Sequence, residues 1–330
     1  MLDILIRGGQ VIDGSGVPRC RADVAIERGR IVEIGLLESA QAETVIDAFG
    51  CVVTPGFVDM HSHADLTLPV VPTADSLVHQ GVTSVVAGQC GLTFVPLLAE
   101  TREQVQASAN TGDLELPWDE WSTFGSYVDY IERIGISVNM AMLVGQGAVR
   151  AAIIGFAGGP ATTGQMARMQ AEVARAMDSG AIGISTGLIY PPGSFADTEE
   201  LVDVTRPVGE RGGFYFSHIR GEDHRLLEAI AEAIHIGRET GAAVQISHFK
   251  ASGRQNWPLA TQGMEMIDRA RAEGLDVAMD MYPYTAGATG LAALLPEWAQ
   301  EGGKEATLRR LADPDTRRAM ITSMQTSGFF

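Results

Sequence analysis

Pro55-Gly56-Phe57-Val58-Asp59-Met60-His61-Ser62-His63-Ala64-Asp65 is the stretch on which the reading of this chain turns. Pro-Gly punctuates the entry to a short apolar run, and the run leads into a His-x-His pair. In an extended strand alternate side chains share a face, so His61, His63 and Asp59 are expected to project together, the two imidazoles able to grip one metal ion. A surface strand that happens to carry two histidines would look the same, and the pair alone does not decide between them.

Upstream of this stretch the sequence is strand-rich. Leu2 to Ile6 and Gln10 to Ile12 read as short strands around Gly8-Gly9, Ala22 to Ile26 and Ile31 to Ile34 alternate around an Arg28-Gly29 turn, and Thr44 to Ile46 precedes Cys51 to Val53. These predict a small β-sandwich-like domain over 1–55, incomplete without strands from beyond the barrel. Downstream, short β-branched runs alternate with helical stretches, the pattern of successive βα units on a parallel sheet. The runs are Gly56 to Met60, Thr83 to Ala87, Val138 to Val144, Ile182 to Thr186, Phe214 to His218, Ala243 to Ser247 and Asp276 to Met281. Helices are expected at 76–80, 120–134, 164–179, 198–211, 225–240, 259–273 and 304–324. The fold class is therefore α/β, a TIM-type (β/α) barrel over 56–330. Eight such units close a barrel. Seven strands leave it incomplete, with an inserted segment beginning at about 285–330.

The totals narrow the function. A chain of 330 residues with 45% hydrophobic and 20% charged residues has the composition of a globular protein. A net charge of −17 argues against a nucleic-acid backbone as partner. Asp3 and Arg7 interrupt the apolar start, and no run elsewhere reaches the roughly 18 residues of a membrane span, so a cytoplasmic, membrane-free protein is expected. Cys20, Cys51 and Cys90 are too few and scattered for a disulfide framework.

Four of the seven histidines fall at strand ends; His79, His224 and His235 fall in or at the start of helical stretches. Cys90 follows the second barrel strand, while His218 and His248 end the fifth and sixth. Barrel active sites are built on that C-terminal rim, where strand ends distant in sequence converge. Singly, a cysteine there reads as a small buried hydrophobe and a histidine as a hydrogen-bonded core residue. Together with His61 and His63 they read as a metal site.

Six segments carry a resemblance: Phe-Val-Asp-Met-His-Ser-His-Ala-Asp, Gly-Gln-Cys-Gly, Ser-Thr-Gly-Leu-Ile-Tyr-Pro-Pro-Gly, Ser-His-Ile-Arg-Gly-Glu, Ile-Ser-His-Phe-Lys and Asp-Met-Tyr-Pro-Tyr. In this order they resemble the amidohydrolase superfamily, and within it the N-acyl-D-amino-acid deacylases, over about residues 3–290. The resemblance implies Zn2+-dependent hydrolysis of the amide bond of N-acyl-D-amino acids by metal-activated water. It implies a tight site made by the Cys90 thiolate with His218 and His248, and a second, weaker position at His61 and His63. The carboxylated lysine that bridges metals in many amidohydrolases is not available, because the fourth strand contains no lysine; only Lys250 and Lys304 occur in the whole chain.

The resemblance also places Lys250 and Tyr282 on the active rim, the best candidates to bind the carboxylate of an N-acyl amino acid. Ser185, Thr186 and Tyr190 are candidates for the pocket wall, and Arg220 has the charge to assist. The family's general base is an Asp on the eighth strand. In its absence Asp280 and Asp59 are weak substitutes, read better as groups that orient a histidine or a loop. Turnover by this chain is accordingly expected to be weak or absent. Two alternatives remain: a cyclic amidase of the dihydroorotase or hydantoinase kind, which the missing lysine and the presence of Cys90 disfavour, and an inactive metal-binding fragment. Open barrel edges make oligomerisation a further expectation.

Overall fold

The computed structural model describes residues 1–109 and 114–326; the last four residues of the segment expected at 285–330 lie outside this set. The chain divides into two compact units, Met1–Phe57 and Val58–Phe330.

The first unit is one sheet of five strands. β1 (Leu2–Val11) lies between β2 (Cys20–Glu27) and β4 (Ala42–Asp47), β3 (Arg30–Gly35) pairs with β2, and β5 (Val52–Val53) pairs with the end of β1. What reads in sequence as two short strands around Gly8-Gly9 is a single strand with a shift in register between Ile6 and Gly9. Gly8, at φ +76, takes the left-handed conformation that lets the strand kink without leaving the sheet. Among the described residues this unit has one sheet, one layer of the incomplete sandwich expected. Ile31, Val32 and Ile34 of β3 and Val45 and Ile46 of β4 stay exposed.

The second sheet has seven strands in strict sequence order: β6 (Phe57–Asp59), β7 (Val82–Ala87), β8 (Asn139–Gly145), β9 (Gly183–Gly187), β10 (Phe214–His218), β11 (Ala243–Ile246) and β12 (Val277–Met279). The pairs from β7 through β12 are parallel. The two ends of the row do not pair with each other, so the sheet is a curled half-barrel, with β6 and β12 as its edges. Its middle is dry. Every residue of β9 is buried, and Ile184, Tyr215 and Ile246 have no exposed surface; each such side chain contributes about 1.5–3 kcal/mol of transfer energy.

Helices alternate with the strands: α1 (Asp75–Val78), α2 (Arg102–Ser108), α3 (Phe124–Ile134), α4 (Gln146–Ile154), α5 (Thr163–Asp178), α6 (Thr198–Gly209), α7 (Leu226–Thr240), α8 (Trp257–Ala272), α9 (Glu297–Gln300), α10 (Lys304–Ala312) and α11 (Pro314–Thr326). Their starts are written in the sequence. Thr162 and Gln165 form a capping box on α5, and the Asp197 carboxylate accepts from the Glu200 N–H at 2.8 Å to cap α6. The expected helix over 304–324 is two, because Pro314 opens a new helix and Asp313 accepts from the Thr316 N–H at 2.8 Å. α4 is a helix the sequence reading lacks. It is buried over almost its whole length, so it shows no polar face for a helical period to reveal. Among the described residues no helix is long and apolar enough to cross a membrane.

Candidate metal centre

The half-barrel gathers the predicted ligands at the C-terminal ends of its strands. β6 ends at Asp59, so His61 and His63 lie beyond it rather than along it. His63 instead caps a short helical turn, Ala64–Leu66, and the two rings stand edge to face with centroids 5.6 Å apart. The expected extended pairing is thus replaced by a bend. The Asp59 carboxylate accepts from the His61 N–H at 3.0 Å and so fixes that bend from its backbone side.

Cys90 is the common member. Its Sγ lies 3.5 Å from His61 Nε2 and 3.7 Å from His248 Nε2. His61, His63 and Cys90 form one group, and Cys90, His218 and His248 another, with the donor atoms of each group all within 4.8 Å of one another. The His218 and His248 rings meet edge to face at 4.4 Å.

Backbone strain holds this arrangement. Cys90 and His248 are non-glycine residues in the left-handed region, at φ +55 and +38, a conformation that costs about 1–3 kcal/mol and persists only where the surroundings impose it. For Cys90 those surroundings are visible. The Ser185 hydroxyl donates to the Gly88 carbonyl at 2.5 Å and accepts from the Gly91 N–H at 2.9 Å, clasping the turn on both sides. A Cβ on Gly187 would collide with the Cys90 carbonyl oxygen, so only glycine lets the turn seat against β9.

The electrostatics suit a cation. Burial, then the carboxylates of Glu222 and Asp280, push the Cys90 thiol up to about 12. Burial pulls His218 down to about 3, leaving it a neutral imidazole. His218 is only 5% exposed, yet neither ring nitrogen has a hydrogen-bond partner. A buried polar group in that condition is costly unless something else satisfies it. One thiol and two imidazoles within bonding reach of a common point fit zinc.

Two carboxylates stand behind the histidines. Glu222 Oε1 lies 2.8 Å from His248 Nδ1 and 2.6 Å from Lys250 Nζ. Lys250 Nζ also lies 3.0 Å from His248 Nδ1, so imidazole, ammonium and carboxylate meet at one point; with the Nδ1 proton given to the nearer carboxylate, which only accepts, Nε2 turns a lone pair toward Cys90. Burial alone would raise the Glu222 carboxyl, but the hydrogen bond from His248, with the charge of Lys250, outweighs it and holds it at about 2. Asp280 Oδ1 lies 3.4 Å from His61 Nδ1 and accepts from the His248 N–H at 2.6 Å, while its Oδ2 accepts from Gln245 at 2.9 Å. Asp280 is therefore engaged at both oxygens, in the orienting place and not that of a free base. Glu222 was missed in sequence, although an acid four residues beyond a strand-end histidine was there to be seen.

Comparison with known proteins places this geometry. The amidohydrolase family model matches residues 44–326. The chain belongs to the amidohydrolase family. A D-aminoacylase of Alcaligenes xylosoxydans xylosoxydans is 40% identical over 295 residues, 88% of this chain and 59% of that protein. An N-acyl-D-glutamate deacylase of the same organism is 39% identical over 300 residues, 91% of this chain and 60% of that one. Among solved structures, N-acyl-D-glutamate deacylase from Bordetella bronchiseptica, complexed with zinc and a phosphonate inhibitor that mimics the tetrahedral intermediate, superposes with TM-score 0.78 at 36% identity, covering 86% of this chain and 59% of that chain. This amidohydrolase thus spans about 60% of the length of the relatives it matches.

The predicted substrate residues of this amidohydrolase separate into two sets. Lys250 sits on the rim, its Nζ 5.4 Å from the centre of the Tyr282 ring. Tyr190 packs edge to face on His218 at 5.1 Å and its hydroxyl meets Thr289 Oγ1 at 2.9 Å. These three border the metal centre. Ser185 and Thr186 do not, since both are fully buried. Ser185 is consumed by the Cys90 turn, and Thr186 Oγ1 lies 3.1 Å from the Tyr215 hydroxyl and donates to Ser217 Oγ at 3.0 Å, inside the sheet's concave face. Arg220 is likewise occupied, by Glu232 at 3.0 Å and the Ser194 and Ala196 carbonyls at 3.0 and 2.9 Å.

Proposed function

We propose that this chain carries the zinc site of an N-acyl-D-amino-acid deacylase, with Cys90, His218 and His248 as the tight ligands and His61 and His63 completing a second, weaker position through the same sulfur. The observation that carries the reading is His218: a buried imidazole with two unpartnered nitrogens, its donor atom within 4.8 Å of those of Cys90 and His248. Zinc bound there supplies a Lewis acid that polarises an amide carbonyl and lowers the pKa of a water.

The chain's own residues do the positioning. Glu222 orients His248 through its Nδ1, and Asp280 accepts from the His248 N–H while standing 3.4 Å from His61 Nδ1. Lys250, on the rim beside Tyr282, offers the cation that anchors the carboxylate of an N-acyl amino acid, and Tyr190 forms the wall beside His218. An aspartate on an eighth strand, the base that the resemblance implies, is not among the described residues, and Asp280 does not replace it because both its oxygens are taken.

The test joins metal content to substrate choice. Purified chain should retain zinc after dialysis and lose it in Cys90→Ser and His218→Ala. Any hydrolysis should favour N-acetyl-D-methionine over its L-isomer and over a cyclic amide. Zinc surviving both substitutions, or turnover confined to the cyclic amide, would overturn the reading.

A further inference from the structure

Glu222 serves two masters. Its Oε1 is simultaneously the acceptor for His248 Nδ1, at 2.8 Å, and for Lys250 Nζ, at 2.6 Å. The arrangement is rigid on every side. The Glu222 carbonyl accepts from the Ser252 N–H at 2.6 Å, and the preceding residues are tied by Arg225, which donates to the Arg220 carbonyl at 3.1 Å. Lys250 in turn donates to the His248 carbonyl at 2.9 Å. The metal-facing imidazole and the rim cation are thus two residues apart in sequence and joined through one carboxylate oxygen.

We propose that Glu222 is a positioning residue that couples the two ends of the site, fixing the lone pair of His248 for the metal while occupying Lys250 in the place a substrate carboxylate would take. The proposal rests on the deacylase reading for the identity of that substrate and on geometry alone for the metal. Two of the three Lys250 N–H donors go to Glu222 and the His248 carbonyl, so an incoming carboxylate competes with Glu222 for the ammonium and need not release Glu222 from His248. Two donors on one oxygen make this possible, because giving up the Lys250 contact leaves the His248 contact intact and strengthens it. Substrate arrival would then sharpen the ligand field at the moment it is needed.

Glu222→Gln and Lys250→Met, with Glu222→Asp as the rescue, separate this from a merely structural role. Glu222→Gln should weaken zinc, measured by competition with a chromophoric chelator, by about 10–100-fold, as loss of a ligand's hydrogen-bond partner typically does. The same variant should strengthen binding of N-acetyl-D-methionine relative to its carboxamide by about 5-fold, since Lys250 is set free. Lys250→Met should do the reverse, keeping zinc affinity and abolishing the preference for the carboxylate, and Glu222→Asp should restore part of the zinc affinity. A Glu222→Gln chain with wild-type zinc affinity, or both variants losing zinc and discrimination together, overturns the proposal. The zinc measurement needs no turnover, so a chain that hydrolyses no N-acyl-D-amino acid overturns the functional reading and not this one.

Discussion

The two halves of the metal cluster share Cys90 and differ in almost everything else. His218 ends β10 and His248 lies two residues past the neighbouring β11, with Glu222 Oε1 2.8 Å behind the His248 ring. His61 and His63 follow β6, the first strand of the row, in a bend whose second histidine is exposed. The difference teaches that the proposed ranking of the halves rests on the support behind each ligand, since both offer the same imidazole chemistry. Glu222 stands 2.8 Å behind His248 Nδ1, whereas Asp280 stands 3.4 Å behind His61 Nδ1 and gives its shorter contact, 2.6 Å, to the His248 N–H.

Removing the shared atom should erase the distinction. Cys90→Ser is expected to lower zinc affinity in both halves by more than the about 100-fold seen at most when only a supporting partner is lost, read by metal analysis after dialysis; stoichiometric zinc in that variant would mean the halves are independent. Gly187→Ala attacks the buried half through its backbone. Its new methyl meets the Cys90 carbonyl oxygen, so a loss of about 1–3 kcal/mol in urea melts is expected, with zinc lost alongside. Unchanged stability would show that the turn is free to move.

Asp280→Asn touches both halves lightly, through His61 Nδ1 and the His248 N–H. Zinc affinity should fall by about 10-fold with the fold intact by circular dichroism. The smallest effect belongs to His63→Ala. At an exposed position it should change stability by less than about 0.5 kcal/mol and remove only the weaker equivalent of metal in a titration. If His63→Ala instead abolished all binding, the ranking of the halves would be inverted.

Much of the fold was legible. The alternation of β-branched runs with helical stretches located every strand from β6 to β12, because a parallel sheet buried on both faces demands continuous apolar segments. The bulge in β1 and the buried helix α4 were not legible. A glycine pair looks like a turn until pairing is known, and a helix without a polar face has no period to read. In the site, residue type and strand position found Cys90, His218 and His248. Glu222 escapes a sequence reading because its partners lie 26 and 28 residues away, in the loop after β11, and Ser185 reads as a pocket residue because sequence alternation does not tell which strand faces a neighbouring turn.

What the sequence by itself determined is the inventory and its order: which donors exist, at which strand ends they fall, and that the fourth strand offers no lysine. Those are local properties, set by residue type and spacing. Only the tertiary structure decided which donors share a point, that Cys90 belongs to both groups, and that Glu222 stands between His248 and Lys250. These depend on the curl of seven strands and on two residues held in the left-handed region, and no local pattern encodes a distance between chain segments more than a hundred residues apart.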